Sequence, residues 1–412
     1  MAKSKAIRAT SFVLALTAGA ANAQGLSAQF QLGGVFDRAA PDSFDAALGF
    51  DNRQSYGGNL RLMWGGGNGP WNVELHSVLS FGTGDLLAYG AAIGAFLPAP
   101  PPATLFDLTS TVYADGETLV VNTLDRLSLG YTGDNLVLRI GRQAVTWGGG
   151  TVFNPLDIVG AFAPNAINTS YKTGVDMVYG QYLLDSGADI QAIYVPRPAI
   201  SGGPVDWDSS TVGLNGTAFI GNLDTSVILA QDRGDFLAGI GLSGPIGGAA
   251  WRVEYAGWWL ENGDQTASYL VNITNTGSLF GANVFYFAEY FRNGFGVDSG
   301  VAFDAMPVET LDRLATGQIF NTGFDTLALG AQINLTPDIT VSPNAILSLN
   351  DGSALIALQA AWVMGDNTDI SFSYSQALGS NGSEFGGRET SAGSGVYLRP
   401  STEFTIVLSR FF

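Results

Sequence analysis

The sequence predicts an all-β protein, a transmembrane antiparallel β-barrel of about eighteen strands. Mean hydropathy is +0.19, yet the chain after the first 23 residues holds no apolar run long enough for a membrane helix. Segments of about nine to twelve residues instead alternate apolar with small or polar positions, close to the length of a membrane-spanning strand. Short and long connections alternate between these segments, as expected when one set faces the periplasm and the other faces outside.

The amino terminus has the three zones of a secretory signal peptide. These zones are the basic residues Lys3, Lys5 and Arg8, the apolar run Phe12 to Ala21, and the small-residue site Ala21-Asn22-Ala23. The apolar run is about ten residues long, whereas a spanning helix needs roughly 20, which favours a cleaved signal over an anchor. We expect residues 1–23 to be removed and residues 24–412 to form the barrel; an uncleaved interfacial helix is the alternative.

The charge balance and the absence of cysteine exclude several classes of function. Loss of the three basic residues of the signal peptide leaves 15 of 18 Lys and Arg against 36 Asp and Glu. This acidity argues against nucleic acid as a partner. The chain has no cysteine and a single histidine, His76, so we predict no disulfide, no sulfur or histidine-cluster metal site and no cofactor.

The alternation is clearest near the carboxyl terminus. In Phe324 to Leu335, five apolar residues alternate with Thr326, Ala328, Gly330, Gln332 and Asn334. Alternation alone also describes a soluble β-sandwich, but a sandwich does not require short and long connections to alternate. Sixteen strands are the alternative count, because the segment Tyr269 to Ile273 is faint. The predicted strand centres lie near residues 32, 60, 75, 127, 139, 179, 192, 215, 227, 240, 253, 270, 286, 330, 344, 359, 372 and 406.

The connections divide into two sets. The short, periplasmic turns are predicted at Thr132 to Asn135, Asp185 to Gly187, Gly221-Asn222, Gly244 to Gly248, Asn275 to Ser278, Thr336 to Asp338 and Gly365 to Asn367. The long, extracellular loops are predicted at Asp37 to Ser55, Phe81 to Glu117, Ala144 to Thr173, Glu261 to Ala267, Arg292 to Gly323 and Ala377 to Tyr397.

The last segment, Ser401 to Phe412, places Phe404, Ile406 and Leu408 on one face and ends in Phe411-Phe412. It resembles the terminal-aromatic strand of bacterial outer-membrane proteins, although Arg410 departs from the usual pattern. The resemblance implies recognition by the outer-membrane assembly machinery through Phe412. The expected location is the outer membrane, in contact with its lipid and lipopolysaccharide.

The stretch Leu124 to Pro198 contains LDRLSLGYTGDNLVLRIGRQAVTWGGGTVFNPLDIVGAF and YKTGVDMVYGQYLLDSGADIQAIYVPRP. It resembles uncharacterised Gram-negative porin-like barrels of the alginate-export and substrate-specific porin kind, in which Gly-Arg-Gln ends a strand and Trp-Gly and Asn-Pro-x-Asp follow. The resemblance implies a barrel with porin-like character. Trimers are common among such porins, so a homo-trimer is one possible assembly.

The loop Ala144 to Thr173 contains many apolar residues, among them Trp147, Phe153, Leu156 and Ile158. Such a loop is unfavourable in free water. We expect it to fold into the barrel and narrow the pore, as the third long loop does in the porins that the chain resembles.

Charged residues on the polar faces of the strands, and in this loop, are the candidates for a pore constriction. They are Arg61, Glu74, Arg126, Arg139, Arg142, Asp157, Lys172, Asp176, Arg252 and Glu254. One hypothesis is that they form an eyelet whose field sorts ions. The alternative is that basic and acidic side chains pair simply to satisfy a polar interior.

These features predict passive diffusion of small hydrophilic solutes or ions through a porin-like channel. The alternative is a structural or adhesive surface protein that does not conduct. We do not expect an enzyme, because position 78, two residues after His76, is valine rather than the serine of outer-membrane phospholipases. The acidic loops are interpreted as a solvated rim, with calcium binding as the alternative.

Overall fold

The computed structural model describes residues 25–96, 100–164 and 171–412 of the 412-residue chain. The predicted signal peptide, residues 1–23, lies outside these ranges. Within them, no helix is both long and apolar enough to cross a bilayer.

Eighteen antiparallel strands form one closed barrel, so the predicted fold and the predicted strand count are confirmed. Each strand pairs with the next along the chain, and the last pairs with the first from Gln29 opposite Phe411 to Arg38 opposite Thr402. The strands are β1 Leu26–Arg38, β2 Asn52–Asn68, β3 Trp71–Gly84, β4 Thr118–Thr132, β5 Leu136–Gln143, β6 Val175–Leu183, β7 Asp189–Pro198, β8 Val205–Ile220, β9 Leu223–Asp232, β10 Asp235–Ile246, β11 Ala249–Trp259, β12 Gln265–Leu279, β13 Ala282–Arg292, β14 Asp325–Thr336, β15 Ile339–Ser348, β16 Ala354–Val363, β17 Thr368–Leu378 and β18 Thr402–Phe411.

The two faces of each strand differ in the way that the alternation predicts. On β5, Leu136, Leu138 and Ile140 are 37%, 45% and 56% exposed, whereas Val137 and Arg139 between them face the lumen. Exposed apolar side chains recur on the outer face of most other strands. The outside of the barrel is therefore an apolar surface suited to lipid, and backbone pairing leaves no open sheet edge.

The connections fall at two ends, which we call the turn end and the loop end. At the turn end, the predicted turn Asn275 to Ser278 is wrong: β12 stays paired with β13 as far as Leu279 opposite Ala282, and the turn is Phe280-Gly281. Both of its residues have positive φ, 50° and 84°, a backbone conformation that glycine adopts without strain. Likewise β10 runs on to Ile246, which shortens the predicted turn Gly244 to Gly248.

The loop end is less uniform than predicted. The connection between β9 and β10 is only Arg233-Gly234, and the one between β15 and β16 spans residues 349–353. Three short helices lie in the longer loops: α1 Phe44–Ala47, α2 Leu86–Gly94 and α3 Val308–Ala315, with a 3₁₀ turn at Phe303–Ala305. Two further short pairings occur there, one between Thr109–Ala114 and the loop-end half of β4, the other between Arg388–Glu389 and Tyr397–Leu398.

Candidate functional site

The connection from β5 to β6, residues 144–174, folds into the barrel and supplies much of its interior. We call it the inward loop; residues 165–170 of it lie outside the described ranges. Trp147, Phe153 and Leu156 are almost completely buried. They pack against the inner faces of β6 to β13, so the loop covers one side of the lumen.

The loop packs against a part of the wall where several inward-facing positions are glycines. A Cβ on Gly213 of β8 would lie 2.9 Å from the ring of Trp147, and one on Gly239 of β10 would lie 2.4 Å from a methyl carbon of Leu156. Glycine inside a strand usually marks a place where another part of the chain approaches closely. These glycines therefore make room for the loop.

Two carboxylates of the wall hold the loop backbone. Glu254 of β11 accepts a 2.7 Å hydrogen bond from the Gly149 N–H. Glu289 of β13 accepts hydrogen bonds from the N–H groups of residues 151, 152 and 153, at 2.6, 3.0 and 2.7 Å. Both glutamates are fully buried. Glu254, a candidate for lining the pore, thus lies beneath the loop rather than on the open lumen.

A buried ion pair fixes the two ends of the loop to each other. The Lys172 ammonium lies 2.7 Å from the Asp157 carboxylate and donates a 2.6 Å hydrogen bond to the Val145 carbonyl. Burial raises the pKa of Asp157, although the neighbouring ammonium opposes the change. Burial also lowers the pKa of Lys172. Because every described hydrogen-bond partner of the ammonium and of the carboxylate belongs to the loop, both candidates act first as structural groups.

A second buried pair joins β5 to β6. Arg142 and Asp176 lie directly opposite each other and form a two-pronged contact, with Nε to Oδ1 at 3.0 Å and Nη2 to Oδ2 at 2.8 Å. The Phe106 backbone completes the arrangement, since its carbonyl accepts from Arg142 and its N–H donates to Asp176. Arg142 and Asp176 have the same parity as the outward-facing Ile140 and Val178, so the loop between β3 and β4 covers the pair on the outer side of the wall.

Asp125 is a lumen residue that the alternation did not predict. A β-bulge on β4 shifts the register between His76 and Ser77 of β3, so Asp125 and Arg126 both face inwards. Asp125 lies 2.5 Å from Arg61 and 3.5 Å from Arg126. Arg126 also donates to the Lys172 carbonyl. The structure thus brings Arg61 and Arg126 together around the Asp125 carboxylate.

The remaining candidates make other contacts. Glu74 contacts His76, with Oε1 and Nε2 3.2 Å apart. Arg139 lies over the ring of Tyr179, with its guanidinium carbon 4.5 Å from the ring centroid. Arg252 lies 3.4 Å from Glu254 and stays partly exposed to the lumen. No cluster of three or more metal-ligating side chains is present in the described ranges.

Comparison with known proteins identifies the fold but not a sequence family. No family model matches the sequence, and no curated protein matches it. Among solved structures, Pseudomonas aeruginosa OccK5 (OpdH) is 10% identical, with a TM-score of 0.53 over 94% of this chain and 98% of that one. Pseudomonas aeruginosa OpdQ is 10% identical, with a TM-score of 0.53 over 95% and 99%.

A third similar structure comes from another organism. Acinetobacter baumannii OccAB4 is 9% identical, with a TM-score of 0.52 over 95% of this chain and 99% of that one. At such low identity the likeness concerns the fold alone. The chain therefore shares the eighteen-strand barrel fold of the Occ and Opd outer-membrane porins over nearly its whole described length.

Proposed function

We propose that the protein is an outer-membrane channel for passive diffusion of small hydrophilic solutes or ions, narrowed by the inward loop. The observation that carries the proposal is a polar lumen between that loop and the turn end. Two adjoining cavities there, of about 190 and 360 Å³, share Asp224 and Arg252. Their other lining groups are mostly hydroxyls, amides and glycines, including Gln191, Thr217 and Asn272. Such a lining supports a water-filled passage rather than a dry core.

Most of the charged candidates for the eyelet are paired, which weakens the electric field that they can exert on ions. Nine of the ten candidates lie within 4.0 Å of an oppositely charged or ionisable partner, and Arg139 is the exception in the described part of the chain. Paired charges largely cancel at a distance. We therefore propose that the constriction excludes mainly by size, and that Arg139 contributes most of what ion discrimination the ten residues provide.

The surface of the barrel also bears on the location and the partners of the protein. The apolar outer surface supports a place in the outer membrane, against lipid and lipopolysaccharide. Recognition of Phe412 by the assembly machinery and a homo-trimeric assembly stay predictions. So does the absence of enzymatic activity; among the described residues, His76 Nε2 lies 3.2 Å from the Glu74 carboxylate.

The test is single-channel recording of the refolded protein in a planar bilayer containing KCl. We expect discrete conductance steps and a reversal potential that changes with the salt gradient. The adhesive alternative expects a correctly folded barrel that gives no steps. Heat-modifiable migration in a detergent gel serves as the check on folding. Folded protein without conductance would therefore contradict the proposal.

A further inference from the structure

We infer that a cavity beside the inward loop recognises organic cations, molecules that join an aromatic or aliphatic body to an ammonium group. The inference rests on the proposed channel function and specifies a solute class for it. The cavity encloses about 320 Å³ between Phe153 of the loop and the opposite wall of the barrel, where β1, β2 and β15 to β18 lie. This volume is at the small end of the range for ligand pockets.

One side of the cavity is apolar. It is formed by Phe320, Ile346, Leu355 and Phe385. Ile346 and Leu355 are directly paired on the inner faces of β15 and β16, where a wet barrel usually carries polar residues. Phe320 is 37% exposed although it is aromatic. An apolar surface next to water favours a solute that covers it with its own apolar surface.

The other side is rich in carboxylates. Glu403, Asp37 and Arg53 are consecutive neighbours across β18, β1 and β2. The Arg53 guanidinium lies 3.0 Å from Asp37 and 3.5 Å from Asp45, and 3.6 Å above the Tyr89 ring. Arg53 thus pairs with two carboxylates, and the third, Glu403, lies on the adjacent strand opposite Asp37. No other basic side chain of the described chain comes within 4.0 Å of the three. This corner carries net negative charge.

An uncharged amide at the cavity, Asn321, also offers an acceptor. Asn321 is buried, and its Nδ2 donates to the Gly323 carbonyl at 2.9 Å and to the Thr326 hydroxyl at 3.2 Å. Its Oδ1 makes no hydrogen bond with any described residue. An ammonium group has three donors and no acceptor, whereas a carboxylate has acceptors only. The polar side therefore suits a cationic head and opposes an anionic one.

The geometry of the two sides selects against simpler solutes as well. A small inorganic or methylated cation has no apolar surface that could cover the phenylalanines. A neutral aromatic molecule has no positive charge that could pair with the carboxylates. Only a solute with both parts uses both sides at once. Benzylammonium, benzoate and methylammonium separate these contributions.

The test uses single-channel recording in KCl with each of the three probes added on the loop side. We expect benzylammonium to interrupt the current at a concentration about tenfold below the other two, the effect of partly covering one phenyl ring. Phe320→Ser should remove the advantage of benzylammonium over methylammonium. Glu403→Gln should weaken the block by both cations about two- to fivefold, the range for one solvent-exposed charge pair.

The control is Asp338→Asn, the same carboxylate-to-amide change on an exposed turn outside the lumen, which should leave every block unchanged. KCl conductance without preference for benzylammonium would overturn this inference and leave the channel intact. Stronger block by benzoate would overturn it too. Absence of KCl conductance from folded protein would instead overturn the proposed function, and this inference with it.

Discussion

Glu289 on the wall of the barrel and Phe153 in the inward loop are joined by a 2.7 Å hydrogen bond from the Phe153 N–H to the carboxylate. The N–H groups of the two preceding residues point at the same carboxylate, and Asn272 donates a fourth hydrogen bond at 2.9 Å. Successive N–H groups that converge in this way form an anion-binding concavity. The loop is therefore attached to the wall through a side chain that β13 provides.

Glu289→Gln should loosen this attachment. The amide has one acceptor oxygen instead of two and brings two donors against the loop N–H groups, and each hydrogen bond to a charged group contributes about 1.5–3 kcal/mol. We expect a larger and noisier single-channel conductance, because the loop then occupies less of the lumen. Glu117→Gln, on an exposed loop, is the matched control. Unchanged conductance together with unchanged thermal stability would rule out this role for Glu289.

Gly213→Ala should displace Trp147. The new methyl group would lie 2.9 Å from the indole ring, closer than a Cβ normally comes to another atom, and overpacking of this kind costs about 1–3 kcal/mol. Gly216→Ala is the control on the same strand, since its Cβ would meet nothing within 4 Å. We expect altered tryptophan fluorescence and a lower unfolding temperature for the first variant alone. Equal behaviour of the two would show that the loop does not depend on this glycine.

The strand pattern could be predicted from sequence because lipid and water face opposite sides of every strand. That contrast gives the alternation of Leu136, Leu138 and Ile140 with Val137 and Arg139. A β-bulge interrupts the alternation, and the contrast between lipid and water does not indicate where a bulge occurs. Asp125 was missed since an inserted residue at a bulge reverses the parity that alternation assigns.

Long-range contacts account for the other differences. Glu289 was not predicted as a site residue, because its role depends on loop N–H groups 136 to 138 positions away in the chain. Arg142 and Asp176 were identified as charged residues, but their pairing depends on the register between β5 and β6. The turn at Phe280-Gly281 was misplaced since Asn275 to Ser278 has turn-forming residues that the sheet nevertheless pairs.

Removing either partner of the buried Arg142 and Asp176 pair should destabilise the barrel strongly. Arg142→Met leaves a buried carboxylate alone and Asp176→Leu leaves a buried guanidinium alone, and either change typically costs about 3–5 kcal/mol. The double variant should be more stable than either single one, because neither uncompensated charge is left. Urea unfolding monitored by tryptophan fluorescence in lipid vesicles measures all three. Additive losses in the double variant would mean that the two residues act independently.

Arg139→Ala should shift ion preference towards cations. The guanidinium lies over Tyr179 without an ion-pair partner among the described residues, and its Nε makes no hydrogen bond. At about 8 Å in water one unit charge changes the energy of an ion by about 0.5 kcal/mol, or roughly twofold in local concentration. Reversal potentials in a KCl gradient near 0.1 M, where screening is moderate, measure the change.

Arg410→Ala removes the same charge from an exposed position on the outer face of β18 and should leave the reversal potential unchanged. If both variants behave alike, Arg139 does not act on the permeating ions.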